Sequence, residues 1–204
     1  MSTPLTFYTN PMSRGRIARW MLEEIGVEYD TQVIEYGPAM KTEPYVTINP
    51  MGKVPAIVHG DTVVTECAAI CAYLADAFPQ AGLAPPTDAR GDYYRWLFFT
   101  AGPVESAVTM MGMGLEVPDD KRGMSGYGTM EAVVHTLEMA LSQHEFITGN
   151  QFSAADVYVG AQVGWGLQFE TLEARPAFVQ YFERVKARPA FARATALDDA
   201  LMPD

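Results

Sequence analysis

Asn49-Pro50-Met51-Gly52-Lys53-Val54-Pro55-Ala56-Ile57 reads as a turn, a Val-Pro step and the start of an apolar strand. Proline has no N–H to give to a sheet ladder, so inside such a run it marks a strand start, an edge or a bulge. If Val54-Pro55 is cis, the turn leaves the Val54 N–H and C=O free to pair with an extended peptide. Downstream, Val54–His59 and Thr62–Val64 form a hairpin around Gly60-Asp61. Thr65-Glu66-Cys67 then opens a helix with an apolar stripe of Cys67, Ile70, Cys71, Leu74 and Phe78.

Upstream, Leu5–Thr9 is a short apolar strand. Arg16–Ile25 has helical spacing, with Ile17, Trp20, Met21 and Ile25 on one face, Arg19 and Glu23 paired i,i+4 on the other, and Gly26 as the stop. Glu28–Ile34 reads as a second strand and Met40–Ile48 as a short irregular helix. Strand–helix–strand followed by strand–strand–helix over residues 1–78 is the order of a thioredoxin-like α/β domain. Pro79, Gly82, Pro85 and Pro86 make 79–87 a linker. Over 88–204 the strand patterns vanish. Tyr93–Met111, Met130–Glu145, Ala154–Gln168 and Ala177–Ala187 read as helices of an all-α domain, and Asp119–Gly128 as a mobile connection. Ala-Arg-Pro-Ala-Phe, at 174–178 and again at 187–191, marks two helix starts with proline in the first turn. Ser153 with Asp156 forms a capping box, and Phe152 with Val157 a hydrophobic staple.

The composition narrows the function. At 204 residues and 49% hydrophobic, the chain can bury a sizeable core. A net charge of −11 argues against nucleic acid and against an anionic membrane surface, because both need clustered cations. No apolar run reaches membrane-spanning length and the first residues lack a leader pattern, so a cytoplasmic location is expected. Cys67 and Cys71 share a helix face with no histidine beside them, and His59, His135 and His144 are scattered. Neither a disulfide framework nor a metal site is expected.

The α/β domain, the Pro-rich linker, the all-helical domain and the Ser153/Asp156 box after Phe146-Ile147-Thr148-Gly149 together resemble the cytosolic glutathione transferases. The resemblance covers essentially the whole chain and points to a bacterial, serine-type, theta- or beta-like member. Redox relatives of the fold carry Cys-Pro-x-Cys in the loop after the first strand. Here that loop is Tyr8-Thr9-Asn10-Pro11-Met12-Ser13-Arg14, with Asn10 and Ser13 where the thiols would stand. Locally, Ser13 could simply cap the following helix. The resemblance implies that it donates to the glutathione sulfur and, with the helix dipole, lowers a thiol pKa of about 8.5 by one or two units. Asn10 is the rival donor.

The same resemblance implies the rest of the site. Val54-Pro55 would pair with the cysteinyl backbone of glutathione. Glu66 would take the α-ammonium, and Cys67 stands where the family usually has a serine for the α-carboxylate. A thiol is a weak donor, so that contact is expected to be weakened. Lys53 and Lys41 are the cations placed to reach the glycine carboxylate, and Arg14, a further candidate for glutathione binding, lies with Arg16 beside Ser13. Met12, Met110, Met113 and Trp165 are candidates for an apolar acceptor pocket. The implied activity is conjugation of the glutathione thiolate to a small apolar electrophile by a homodimer, with glutathione as co-substrate. A non-catalytic glutathione-binding module is the alternative, as are isomerisation, ether cleavage or dehalogenation on the same fold.

Overall fold

The computed structural model describes residues 3–202. The chain divides into two compact units: Met1–Leu83 with Arg188–Asp204, and Ala84–Ala187.

The first unit runs β1 (Leu5–Thr9), α1 (Gly15–Ile25), β2 (Asp30–Val33), α2 (Pro38–Lys41), α3 (Tyr45–Ile48), β3 (Ala56–His59), β4 (Thr62–Thr65) and α4 (Cys67–Ala77). The sheet order is β2-β1-β3-β4. β2 runs parallel to β1, and the other neighbouring pairs are antiparallel. Phe7 and Ile57, paired across β1 and β3, are fully buried. The apolar face of α1 (Ile17, Trp20, Met21, Leu22) and Ile70, Cys71 and Leu74 of α4 are buried as well. Each such side chain contributes roughly 1.5–3 kcal/mol. Burial also pushes the Cys71 thiol up to about 12, which keeps it neutral and inert. The stretch read as one helix over 40–48 is two short ones, separated where Glu43-Pro44 is cis.

The second unit begins with α5 (Gly91–Phe99), which passes through a π-helical turn at Thr100–Val104 into α6 (Glu105–Gly112). Pro103 lies inside that turn. Without an N–H to continue the helical ladder, proline explains why the single helix read over this region is interrupted. α7 (Met130–Gln143), α8 (Ala154–Gln168) and α9 (Pro176–Lys186) follow, with a 3-10 turn at Asp119–Met124 in the intervening connection. α8 is apolar on nearly every side and buried along most of its length, as a central helix must be. At its start the Asp156 carboxylate accepts from the Ile147 N–H at 2.7 Å, the Ser153 N–H at 2.9 Å, the Ser153 hydroxyl at 3.0 Å and the Tyr181 hydroxyl at 2.9 Å. Burial outweighs these donors and raises its pKa to about 6.

The last helix, α10 (Pro189–Asp199), groups with the first unit and packs on α1. Phe191 meets Trp20 edge-to-face at 4.9 Å between ring centres. Arg188 makes a two-pronged pair with Glu24, at 2.7 Å on each oxygen. Arg193 pairs with Glu23 and Arg16 with Asp199. Arg19 pairs with Asp198 at 2.7 Å, and both side chains are almost wholly buried. This corrects the sequence reading, in which Arg19 pairs with Glu23 on the face opposite the apolar stripe. Arg19 instead threads under α10, because an opposite charge waits there.

Candidate active site

Tyr8 pairs with Ala56 and Ala56 with Thr65. That register brings three segments to one end of the sheet: the loop after β1, the residues before β3 and the start of α4. They carry Asn10 to Arg14, Val54-Pro55 and Glu66-Cys67 respectively.

The loop is tightly pinned. Asn10 is buried. Its Nδ2 donates to the Ile34 carbonyl at 3.1 Å, fastening the end of β2, and its Oδ1 accepts from the Met12 N–H at 3.0 Å. The Ser13 hydroxyl donates to the Asn10 carbonyl at 2.6 Å and accepts from the Gly15 N–H at 2.9 Å. The single hydroxyl proton is therefore engaged within the loop. Tyr36 donates to the Met12 carbonyl at 3.1 Å, and Arg16 Nε donates to the Pro11 carbonyl at 2.6 Å. Gly15 is required here. A Cβ at that position would fall on the Thr9 hydroxyl and lie 2.9 Å from the Ser13 Oγ.

Val54-Pro55 is cis. Among the described residues neither the N–H nor the C=O of Val54 has a hydrogen-bond partner, so this stretch offers an open edge to an extended peptide. The step is supported from behind. The Lys53 carbonyl accepts from the Tyr45 hydroxyl at 2.6 Å and from Asn49 Nδ2 at 2.7 Å. Burial raises the Tyr45 pKa to about 12, so it stays a donor at any physiological pH.

Glu66 has φ +67, a conformation that L side chains rarely adopt, and stands at the N-terminus of α4. A non-glycine residue held there costs of order 1–3 kcal/mol, and such strain collects at ligand-binding positions. The Cys67 thiol donates to the Arg14 carbonyl at 3.2 Å, tying α4 to the loop that carries Ser13. It is thus directed at a backbone oxygen of the protein.

The cations differ in how they are held. Lys41 donates to the Met51 carbonyl at 3.0 Å and to the Gly52 carbonyl at 2.8 Å, so it braces the turn before Val54. Lys53 is exposed, and among the described residues its ammonium pairs with nothing. Arg14 is exposed at the N-terminus of α1. Met12, at 57% exposure, projects from the Ser13 loop. In the second unit, Met110 on α6 and Trp165 on α8 are half-buried, and Met113, just after α6, is exposed.

Residues to which sequence reasoning gave no role include Gly15, Tyr36, Tyr45, Asn49, Arg16 and Thr9. Thr9 is fully buried, and its hydroxyl has no partner among the described residues. Tyr45 and Asn49 flank a visible turn and could have been found there. Nothing in the local sequence marks Thr9 or Tyr36. Among the described residues no group of three or more His, Cys, Asp or Glu side chains is placed to hold a metal ion, and no helix is long and apolar enough to cross a membrane.

Comparison with known proteins places these features in a family. Residues 12–77 match the model of the glutathione S-transferase N-terminal domain. The chain is 30% identical to glutathione S-transferase GstA of Escherichia coli O157:H7 over 145 residues, which is 68% of this chain and 71% of that one. A glutathione transferase from Methylococcus capsulatus superposes with a TM-score of 0.79 at 25% identity, covering 96% of this chain and 99% of the other. A glutathione transferase homologue from Sulfitobacter, solved with bound glutathione, superposes with a TM-score of 0.76 at 25% identity, covering 98% and 100%. The chain belongs to the glutathione S-transferase family.

Proposed function

We propose that this protein holds glutathione at the sheet end described above, ionises its thiol, and conjugates the thiolate to a small, largely apolar electrophile. The observation that carries this reading is the unpaired Val54 backbone in its cis turn, at the same sheet end as Ser13 and Glu66. Val54 would pair with the cysteinyl backbone and Glu66 would take the α-ammonium. Lys53 would reach the glycine carboxylate, with Arg14 as a further cation. Lys41 would act mainly by bracing the turn, and the Cys67 backbone N–H at the start of α4 would meet the α-carboxylate. Met12, Met110, Met113 and Trp165 would be the candidates for contact with the electrophile.

Ser13 would be the thiolate donor, making this a serine-type, bacterial theta- or beta-like enzyme, cytoplasmic and homodimeric. Its proton would have to turn from the Asn10 carbonyl to the sulfur. The loop tolerates that turn, because the same carbonyl keeps the Ser13 N–H at 3.1 Å. Catalysis then consists of proximity and electrostatic stabilisation of the thiolate.

A second reading is a glutathione-binding module without turnover. It is favoured by the 2.6 Å bond that holds the Ser13 proton inside the loop. Asn10 is the rival donor, with one N–H of its amide not engaged by Ile34. One experiment separates these readings: steady-state conjugation of glutathione to an aryl halide by wild type, Ser13→Ala and Asn10→Ala. A loss of about tenfold or more in Ser13→Ala alone, roughly 1.4 kcal/mol of transition-state stabilisation, supports the proposal. Loss confined to Asn10→Ala transfers the role to Asn10. Wild type that binds glutathione without turning over is the module.

A further inference from the structure

Arg16 lies in the first turn of α1 and its side chain folds back. Nε donates to the Pro11 carbonyl at 2.6 Å, while Nη2 donates to Asp199 Oδ1 at 2.8 Å. Pro11 sits between Asn10 and Ser13, in the turn that carries the candidate thiolate donor. Asn10 on Ile34, Tyr36 on Met12 and Cys67 on Arg14 also hold this loop. None of them reaches Pro11. The Arg16 side chain is 26% exposed and that of Asp199 59%. An ion pair so open to water adds little to stability, so stability alone does not explain this geometry. The neighbouring acid, Asp198, is taken by Arg19.

We propose that Arg16 is a positioning residue for the Ser13 loop, and that Asp199, at the end of α10, holds Arg16 in the orientation that lets it grip Pro11. The inference rests on the reading of this site as one that ionises the glutathione thiol. It makes the last helix of the chain part of the apparatus that sets the Ser13 hydroxyl. Arg16 is not assigned a contact with glutathione, so its loss acts through the loop.

The test compares wild type with Arg16→Ala, Arg16→Lys, Asp199→Ala and the double alanine variant. It measures kcat, the KM for glutathione, the thiolate fraction of bound glutathione from its ultraviolet absorbance, and Tm. The expected result is a fall in kcat of about tenfold in Arg16→Ala, with KM within about twofold, since small displacements at a reacting centre are costly. Asp199→Ala should fall in the same direction by about threefold. The double variant should resemble Arg16→Ala alone, because the two residues act in series. Arg16→Lys, which can reach only one of the two acceptors, should recover part of the loss. A charge effect without positioning predicts opposite signs, because removing Asp199 would leave the guanidinium uncompensated and raise the thiolate fraction. That outcome overturns the proposal, as does a shift in Tm with kcat and thiolate fraction unchanged. Wild type that binds glutathione without ionising it defeats the underlying functional reading, whereas normal wild-type ionisation with wild-type behaviour in every variant defeats this inference alone.

Discussion

Replacing Arg19 by methionine removes one partner of the buried pair with Asp198 while keeping most of the side-chain volume. Both side chains are shielded from water, at 3% and 1% exposure. Arg19 also donates to the Tyr29 hydroxyl at 3.2 Å and lies 5.1 Å from the Phe7 ring centre, so it joins α1, the sheet and α10. Breaking a buried pair from one side leaves an uncompensated charge and costs about 3–5 kcal/mol. For a chain of this size that corresponds to a Tm lower by roughly 6–20 °C. The double variant Arg19→Met/Asp198→Leu should recover most of the loss, because no charge is then stranded. The pH dependence has a definite sign. Burial already holds the Asp198 carboxyl above its ordinary value, against the opposing pull of Arg19. Its neutral form therefore favours the fold: that contribution is complete below the ordinary carboxylate range and lost as pH rises through the folded value. Without Arg19 the carboxyl climbs further, so the deficit of Arg19→Met against wild type should shrink on acidification. Urea unfolding of the four members of the cycle at mildly alkaline and mildly acid pH measures both effects. A double variant as unstable as the single one, with a deficit that ignores pH, would refute the reasoning.

Gly15→Ala drives a methyl group onto the Thr9 hydroxyl and against Ser13. We expect about 1–3 kcal/mol of destabilisation in thermal melts and a conjugation rate at least about tenfold lower, since the Ser13 loop must shift. Glu66→Gly relieves the positive φ and should raise stability by roughly 1 kcal/mol after the extra chain entropy of glycine. Calorimetry should at the same time find weaker glutathione binding. Asp156 should titrate near 6 in a carboxyl-carbon NMR experiment. Because its pKa is raised, its contribution to stability is present below about 4 and falls by about 3 kcal/mol as pH rises through 6. Asp156→Asn should remove that slope.

Much of the first unit was legible because its signals are local. The Gly60-Asp61 hairpin, the Val54-Pro55 step and the Gly26 stop each depend on residues a few positions apart. The paired Ala-Arg-Pro-Ala-Phe starts of α9 and α10 were legible for the same reason. The grouping of α10 with the first unit was not. It depends on Asp198 meeting Arg19 across 179 positions, and an arginine four residues before a glutamate reads as that glutamate's partner until a distant acid is known. At the candidate site, sequence supplied the residue types and the register supplied their assembly. It could not supply the direction of short polar side chains. The Ser13 proton lies on Asn10, the Cys67 thiol on Arg14 and the Lys41 ammonium on the 51–52 turn. Each of these choices is made by backbone carbonyls that only the folded loop presents.

The return of α10 to the first unit also has a meaning in time. A chain made from its N-terminus produces β1, α1 and the Ser13 loop early, but Asp198, Asp199 and Arg188 arrive only after the whole second unit has been synthesised. Until then α1 lacks the cover of Ala190, Phe191 and Ala194, and Arg19 has no counter-charge. The earliest unit to be written is thus among the last to be finished, and an interrupted chain carries the loop of the candidate site without the helix that completes its surroundings. The surroundings of the candidate site are therefore complete only once translation has passed the end of α10.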